Sequence, residues 1–342
     1  MANETGGIFC DIDFDAPGRQ VSSLRLDHSD DTHAYGIIPI PIAVLAGGEG
    51  PTVLLTAGNH GDEYEGQIIL RKLIHELAVE RLQGRLIVLA ALNYPAVLAG
   101  TRTSPLDRAN FNRSFPGRSG GPPTSVIAQF VDSVLLPLCD AGLDLHSGGT
   151  IAEFLPCGFL CSLPDRALMQ RLVAVAEAFA APYTYVVDGA GSPTSLDHAA
   201  HRRGVALISA ELGGGATISR QALRVGYDGV FNVLRHLGIV EPAAQPTPPA
   251  PTQFLVPVDH DDCVMSPISG LFEPLCSLGD AVAAGQPAGV VHPLDDPAVP
   301  PVELSFRHGG VVLSRRVPTR VKRGDFVLQI ARETSRERAC SR

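Results

Sequence analysis

The sequence contains no tryptophan, and lysine occurs only as Lys72 and Lys322. Acidic residues outnumber basic ones, 36 against 27, and the formal net charge is -9. A nucleic-acid-binding protein would need a basic face, which this charge balance argues against. There is also no run of about 18 apolar residues, so no membrane-spanning helix is expected. We therefore expect neither nucleic acid nor a membrane as a partner.

The sequence also lacks the marks of a secreted, disulfide-bonded protein. Its seven cysteines are odd in number and form no CxxC pair, which is typical of reduced thiols. The N-terminal segment MANETGGIFCDIDFDAPG is acidic, whereas a secretory signal would begin with positive charge followed by an apolar run. These features predict a cytoplasmic protein.

The length and one proline-rich segment suggest how the chain is divided. At about 150 residues per domain, 342 residues suggest two domains. The segment EPAAQPTPPAPTQ at 241–253 has the composition of a linker. We expect a catalytic body over 1–240 that begins with N-terminal strands over 1–48, a small β-sandwich over 254–335, and a tail over 336–342.

Within the body, apolar segments of strand length alternate with segments of helical periodicity. The predicted buried strands are 51–58, 85–93, 141–146 and 204–215, and the predicted helices are 63–82, 123–140, 164–181 and 219–237. Such alternation favours parallel pairing, with helices covering both faces of the sheet. The predicted class is α/β.

The segment after the linker has short strands separated by glycines, as in SPISGLFEP and HGGVVLSRRV. It is similar to a biotinyl or lipoyl carrier domain, in which an exposed hairpin presents a lysine for modification. The only lysine of this segment, Lys322, lies beside Gly324 and Asp325, outside any such motif. We therefore expect an unmodified all-β domain that packs on the catalytic body.

Polar side chains follow the predicted strands where ligands of an α/β sheet bind. His60 and Glu63 follow the first buried strand, while His146 and Glu211 lie at the ends of two others. Two imidazoles and a carboxylate form the ligand set of hydrolytic zinc sites, with a position left open for water. His60, Glu63 and His146 are therefore the predicted metal ligands. The ordinary interpretation, as structural histidines, is kept for His198, His201, His292 and His308.

The motifs GNHGDEYEG, NYPAVLAGTRTSPLDRANFNRSFPG, DLHSGG and AELGGG occur in this order over residues 50–240. In this combination the chain resembles the succinylglutamate desuccinylase/aspartoacylase family. The resemblance implies a zinc-carboxypeptidase-like mixed sheet flanked by helices, with a smaller C-terminal all-β domain. It also implies one Zn²⁺ per chain, held by His60, Glu63 and His146.

The resemblance implies roles for four further residues. Glu211 matches the catalytic glutamate, and Arg102 matches the arginine that polarises the scissile carbonyl. Asn112 and Arg113 match the pair that binds a substrate carboxylate, for which a planar guanidinium is suited. The alternative interpretation of the two arginines is a pair of salt bridges that order their loop.

One position departs from the pattern of the family. Relatives commonly carry an aspartate two positions before the Asn-Arg pair, where it supports a zinc-bound histidine, but this chain has Asn110. An amide can accept the histidine N–H, although without negative charge it should raise the basicity of the ligand less. Asp144 and Asp107 are the candidates that could take over this role.

The resemblance predicts a zinc-dependent amidohydrolase that removes an acetyl group from an N-acyl amino acid. The DFDAPG segment, the TRTSPLDRANFNRSFPG loop and the β tail point to N-α-acetyl-L-2,4-diaminobutyrate, a substrate in ectoine degradation. Its side-chain ammonium should have an acidic partner, for which Asp62, Glu65 and Glu153 are the candidates.

Several alternatives stay open at this point. A deacylase of succinylglutamate or N-acetylaspartate is one, and a catalytically inactive metal-binding module is another. A peptidase is disfavoured because the second domain should cap the cleft. Zn, Co and Mn could share the ligands, and the oligomeric state, including a homo-oligomer, is left undecided.

Overall fold

The helices and strands below come from a computed structural model that describes residues 3–31, 33–188, 192–241, 250–258 and 262–340. The helices are α1 (Glu65–Glu76), α2 (Tyr94–Ala99), α3 (Pro123–Phe130), α4 (Arg166–Phe179), α5 (Leu196–Arg202), α6 (Arg220–His236) and α7 (Arg336–Cys340). The strands of the body are β1 (Asn3–Thr5), β2 (Ile8–Cys10), β3 (Gly18–His28), β4 (Gly36–Ala46), β5 (Gly48–Ala57), β6 (Gln83–Leu89), β7 (Ala141–His146), β8 (Ala152–Phe154), β9 (Cys157–Cys161), β10 (Tyr183–Val187) and β11 (Ala206–Glu211). The later strands are β12 (Gln253–Pro257), β13 (Cys263–Met265), β14 (Gly270–Pro274), β15 (Ala281–Val282), β16 (Pro287–Pro293), β17 (Val302–Ser305), β18 (Gly310–Arg316), β19 (Arg320–Val321) and β20 (Phe326–Glu333).

The centre of the body is the parallel set β6–β5–β7–β11. Successive residues of β5 alternate between two hydrophobic cores, because side chains of a strand point to opposite faces. Val53 and Leu55 pack in the core that includes Ile69 of α1, whereas Leu54 packs in the core that includes Phe130 of α3. The predicted α/β class, with helices on both faces of the sheet, is therefore confirmed.

The first strands extend this sheet as an antiparallel edge. β3 pairs with β4 along 18–28 and 36–46, and β4 continues antiparallel onto β6. The strands predicted at the N-terminus are thus present and belong to the main sheet. The sheet is mixed, as the family resemblance implied.

Pairing is not parallel throughout, because β9 runs antiparallel to β11 and parallel to β10. The chain returns from the end of β7 to the start of β9 through residues 147–156. A parallel crossover usually needs a dozen or more residues, so this short connection favours the reversed direction. The antiparallel β9, like the edge strands β3 and β4, makes the sheet mixed, as the family resemblance implied.

Helix α1 is shorter than the periodicity predicted. It ends at Glu76, and the backbone of Leu77 is extended, with φ -71° and ψ 125°. Leu77, Val79 and Leu82 still reach the core, through a short 3-10 turn over Val79–Arg81. The helical spacing over 63–82 therefore reflected burial on one face rather than one continuous helix.

The segment after the proline-rich stretch contributes to two sheets. β12, β20, β18 and β15 continue the main sheet from β10, so that the described residues form a 16-stranded sheet. β17–β16–β14–β19 form a separate four-stranded sheet, antiparallel throughout. A core that includes Phe272, Phe306 and Val327 forms here. The predicted smaller all-β region is therefore present.

The domain boundaries stay a prediction. Residues 242–249 of the proposed linker and residues 341–342 of the proposed tail lie outside the described residues. β12 begins at Gln253, and α7 covers Arg336–Cys340 of the tail. Within the described part of the chain, every helix is too short or too polar to cross a lipid bilayer.

Candidate metal and active site

Two neighbouring strands bring the predicted ligands to one edge of the sheet. β5 ends at Ala57 and leads into the loop that carries His60 and Glu63, while β7 ends on His146. The loop passes so close to α2 that a Cβ on Gly61 would lie 1.9 Å from the carbonyl oxygen of Ala96. Only glycine allows this approach, and it fixes the position of His60 beside it.

The ligand atoms of His60, Glu63 and His146 all lie within 4.8 Å of one another, and all three residues are buried. Nδ1 of His60 lies 2.7 Å from Glu63 Oε1, and Nδ1 of His146 lies 2.8 Å from Glu63 Oε2. The two imidazole rings are 5.2 Å apart, centre to centre. Among the described residues, no other group of this kind is present.

The far side of each imidazole ring contacts a hydrogen-bond acceptor. Nε2 of His60 lies 3.2 Å from Asn110 Oδ1, and Nε2 of His146 lies 2.8 Å from Asp144 Oδ2. If each Nε2 carries the proton that it donates to its acceptor, each Nδ1 presents a lone pair toward Glu63. This is the tautomer that binds a metal.

The donor set fits a divalent cation. Two lone pairs and a carboxylate converge, and without a cation or a proton between them these atoms would repel one another. Burial acts to raise the pKa of the Glu63 carboxyl, but the neighbouring His146 and His60 hold this pKa well below its usual value. Burial acts to lower the pKa of His146, but the neighbouring Asp144 and Glu63 raise this pKa well above its usual value. Both shifts arise because these imidazoles and carboxylates are packed together in one buried cluster.

Asn110, which stands where relatives commonly carry an aspartate, accepts the hydrogen bond from Nε2 of His60. Neither candidate substitute does so. Asp144 supports His146 instead, and the carboxylate of Asp107 accepts from the backbone and hydroxyl of Thr124, at 2.9 and 2.8 Å. One ligand is therefore supported by a neutral amide and the other by a carboxylate.

Glu211 lies at the end of β11, where it is the register partner of His146 on β7. It lines the cavity above the ligands, and its buried Oε2 has no hydrogen-bond partner. Burial, followed by the charge of Glu63, raises the pKa of Glu211 to about 8. A carboxyl group in this position can exchange a proton with a molecule in the cavity.

The loop TRTSPLDRANFNRSFPG contributes three predicted residues to the same cavity, namely Arg102, Asn112 and Arg113, and their contacts differ. Nη1 of Arg102 lies 3.4 Å from His60 Nδ1 and 3.5 Å from Glu63 Oε1. Arg102 is therefore at the ligands themselves rather than in a salt bridge that orders its own loop.

Arg113 is exposed at the rim of the cavity and donates to the backbone carbonyl of Asn112, at 2.6 Å. Asn112 Oδ1 accepts from the backbone N–H of Leu196, at 2.9 Å, so this side chain fixes the start of α5. Burial, followed by the charge of Arg102, lowers the pKa of Arg113.

The cavity has a volume of about 920 Å³, and both parts of the chain line it. The body contributes the ligands, the loop residues and the apolar side chains of Phe154, Phe159 and Val187. The C-terminal segment contributes Pro257, Val258, Phe326 and Gln329. The sequence expectation that this segment packs on the body is met, and its residues form one wall of the cavity.

None of the three acids considered for a substrate ammonium lines this cavity. Asp62 accepts from the backbone and the hydroxyl of Thr150, and Glu153 is paired with Arg315 at 2.6 Å. Glu65 is 1% exposed, with both carboxylate oxygens unpartnered, and burial raises its pKa to about 7. None of the three is therefore placed to meet a molecule in this cavity, because Asp62 holds a loop, Glu153 joins β8 to β18 and Glu65 is enclosed.

Asp197 and Ser209 also line the cavity, and no motif in the sequence pointed to them. Asp197 lies on α5, which follows two strands, β9 and β10, that the sequence analysis did not predict. The only signal was the serine at 195, which caps α5 by accepting from the backbone N–H of His198.

A model of the succinylglutamate desuccinylase/aspartoacylase catalytic domain matches residues 49–237. The chain is 41% identical over 324 residues, 95% of its length and 94% of the relative's, to an N-α-acetyl-L-2,4-diaminobutyric acid deacetylase of Halomonas elongata. The family predicted from the motifs is therefore confirmed.

Solved structures agree with this result. The product-bound ectoine utilization protein EutE (DoeB) of Ruegeria pomeroyi superposes with a TM-score of 0.91 at 41% identity, covering 96% of this chain and 100% of that one. A succinylglutamate desuccinylase/aspartoacylase of Rhodobacter sphaeroides gives a TM-score of 0.90 at 40% identity, with the same coverage. The similarity extends over both the body and the C-terminal segment.

Proposed function

Because the chain belongs to the succinylglutamate desuccinylase/aspartoacylase family, whose members hydrolyse linear amides, we propose that it deacetylates N-α-acetyl-L-2,4-diaminobutyrate. The observation that carries this proposal is the 41% identity, over 95% of the chain, to a deacetylase named for that substrate. The proposal places the enzyme in ectoine degradation and, with all seven cysteines unpaired by disulfides, in the cytoplasm.

His60, Glu63 and His146 would hold one zinc ion. When bound there, zinc would supply Lewis acidity toward water and toward the amide carbonyl. The buried, convergent donor atoms support this assignment, and the hydrogen bonds to Asn110 and Asp144 would hold both rings in the required orientation.

Glu211 would be the general base and then the general acid. The residue lines the cavity, and its Oε2 has no partner in the protein, so the carboxyl group would be available to accept a proton from water. The same group would return that proton to the nitrogen of the leaving amine. With a pKa raised toward neutral pH, a carboxyl group transfers protons in both directions efficiently.

Arg102 and Arg113 would supply the positive charge that the substrate requires. Arg102 lies beside the ligands, where it can donate to the carbonyl oxygen as negative charge develops on it. Arg113, at the rim, presents a planar fork for the α-carboxylate. Asn112 would act through its bond to Leu196, which sets the position of this rim.

The test is a substrate panel on the zinc-loaded enzyme. Amine release would be measured from N-α-acetyl-L-2,4-diaminobutyrate, N-acetylaspartate and succinylglutamate under identical conditions. We expect the first to have the highest kcat/KM by about tenfold or more, because groups left unpaired in a buried site cost this much or more. Comparable rates on all three would contradict the proposed substrate, and no hydrolysis of any would favour the inactive metal-binding module.

A further inference from the structure

Asp197 is a buried acid that faces the cavity and has no role in the mechanism above. It is 7% exposed, and its Oδ1 accepts from the hydroxyl of Ser209 at 2.7 Å. It lies on α5, two residues after the capping residue Ser195, and Ser195, Asp197 and Ser209 all line the cavity. A molecule in the cavity can therefore reach this side chain.

No cationic side chain neutralises Asp197. Its carboxylate accepts from the neutral hydroxyl of Ser209, and among the described residues no lysine, arginine or histidine forms an ion pair with it. The positive charges of His146 and Arg113 act on it without an ion pair. Burying a carboxylate without a cationic partner costs free energy. A cation bound in the cavity beside Asp197 would remove this cost.

We propose that Asp197 binds the side-chain ammonium of the substrate and so determines the specificity of the enzyme. The inference rests on the proposed function. The substrate carries a carboxylate and an ammonium a few bonds apart, and Arg113 and Asp197 present complementary charges at one end of the cavity. Between them, these two residues would orient the amino acid and leave its acetamide directed at the ligands.

The other acids of the cavity are excluded by position. Glu63 is a metal ligand, and Glu211 is assigned to proton transfer. Asp188 is exposed at the surface of the cavity, where water would weaken its attraction for an ammonium. Asp197 is thus the buried acid of the cavity that neither the metal site nor proton transfer uses.

The experiment compares two substrates on the wild-type enzyme and on Asp197→Asn. The first is N-α-acetyl-L-2,4-diaminobutyrate, and the second is N-acetyl-L-2-aminobutyrate, which lacks the ammonium. In Asp197→Asn we expect kcat/KM for the cationic substrate to fall on the order of 100-fold, mainly through KM, because a charge-assisted hydrogen bond is lost. The neutral substrate should change by less than about threefold, which shows that the fold and the catalytic groups are intact.

A binding measurement on a matched pair of variants accompanies the kinetics. Calorimetric binding of the product, L-2,4-diaminobutyrate, should weaken in Asp197→Asn but not in Asp228→Asn, a matched change on the exposed face of α6. An equal loss on both substrates would mean that Asp197 is structural, and a retained preference for the cationic substrate would mean that another group binds the ammonium. Either result overturns the inference and leaves the proposed function standing. A wild-type enzyme without preference for the cationic substrate overturns both.

Discussion

His60 and His146 face the same carboxylate, but a neutral amide supports one ring and a carboxylate supports the other. A charged acceptor makes the imidazole more basic and a better ligand, and such partners typically change metal affinity about 10- to 100-fold. At the scale of single residues, the asymmetry predicts opposite effects of two matched substitutions.

Asn110→Asp should therefore tighten zinc binding by about tenfold, and Asp144→Asn should weaken it by about tenfold or more. Competition with a chromogenic chelator measures both affinities in one titration series. Equal affinities in the wild type and both variants would show that the charge of these acceptors does not act on the ligands.

Glu211→Gln tests the proton-transfer residue. The amide keeps the shape of the side chain but cannot accept a proton, so kcat should fall about 10²- to 10⁴-fold. Zinc content should remain at one ion per chain, because Glu211 is not among the ligands. Loss of zinc together with activity would instead place Glu211 in the metal site.

The buried cluster that could hold a metal was predictable from the sequence because its members follow strands of strong apolar character. His60, Glu63 and His146 were chosen from their position at that edge of the sheet, from their donor atoms and from the family motifs. Asp197 could not be found in this way. It belongs to a short helix that follows two strands of weak pattern, β9 and β10, and only the tertiary structure brings it to the cavity.

Two titratable residues of helix α5, Asp197 and His201, form hydrogen bonds with strand β11. Nε2 of His201 donates to the backbone carbonyl of Leu207 at 2.9 Å, and burial lowers the pKa of His201 to about 4. Asp197, on the same helix, has its pKa raised to about 6, by burial and then by the charge of Asp144.

The two shifts affect stability in opposite directions as the pH falls. Between about pH 6.5 and 4, the unfolded chain protonates His201 while the folded chain does not, so the folded state loses up to about 3 kcal/mol. Asp197 in the folded state takes up its proton first, which offsets part of this loss.

The variant His201→Gln isolates the histidine, because the glutamine amide can donate to Leu207 without titrating. Its free energy of unfolding should fall less than that of the wild type between pH 7 and pH 4, by about 3 kcal/mol. Denaturant titrations at several pH values measure the difference. Parallel curves for the two proteins would show that His201 does not contribute to the pH dependence.

The elements that sequence could predict are those with a strong, uninterrupted pattern. β5, β7, α4 and α6 lie close to their predicted positions, because each buries a continuous strip of apolar residues. β8, β9 and β10 were missed, since they are short and depend on pairing with distant strands, including β18 of the C-terminal segment. Strand formation of that kind is decided by tertiary context.

At the scale of the whole molecule, the main sheet runs without interruption from the body into the C-terminal segment. β12 pairs with β10, β20 pairs with β12, and β18 pairs with β8. Glu153 and Arg315 add an ion pair at this junction. The two regions therefore share backbone hydrogen bonds, unlike domains that touch only through side chains.

This continuity predicts one cooperative unfolding transition. Scanning calorimetry should show a single peak, and Leu304→Ala, in the core of the smaller sheet, should shift that peak rather than split it. Two separate transitions would mean that the C-terminal segment folds independently of the body.

The central claim is that one metal, bound by His60, Glu63 and His146, is required for the deacetylation. The most direct test is to strip the protein with a chelator and titrate zinc back while measuring hydrolysis of N-α-acetyl-L-2,4-diaminobutyrate. We predict no activity without metal, then a linear rise that stops at one equivalent of zinc per chain, with no recovery in Glu63→Gln. Full activity of the metal-free protein, or full recovery in Glu63→Gln, would contradict the claim.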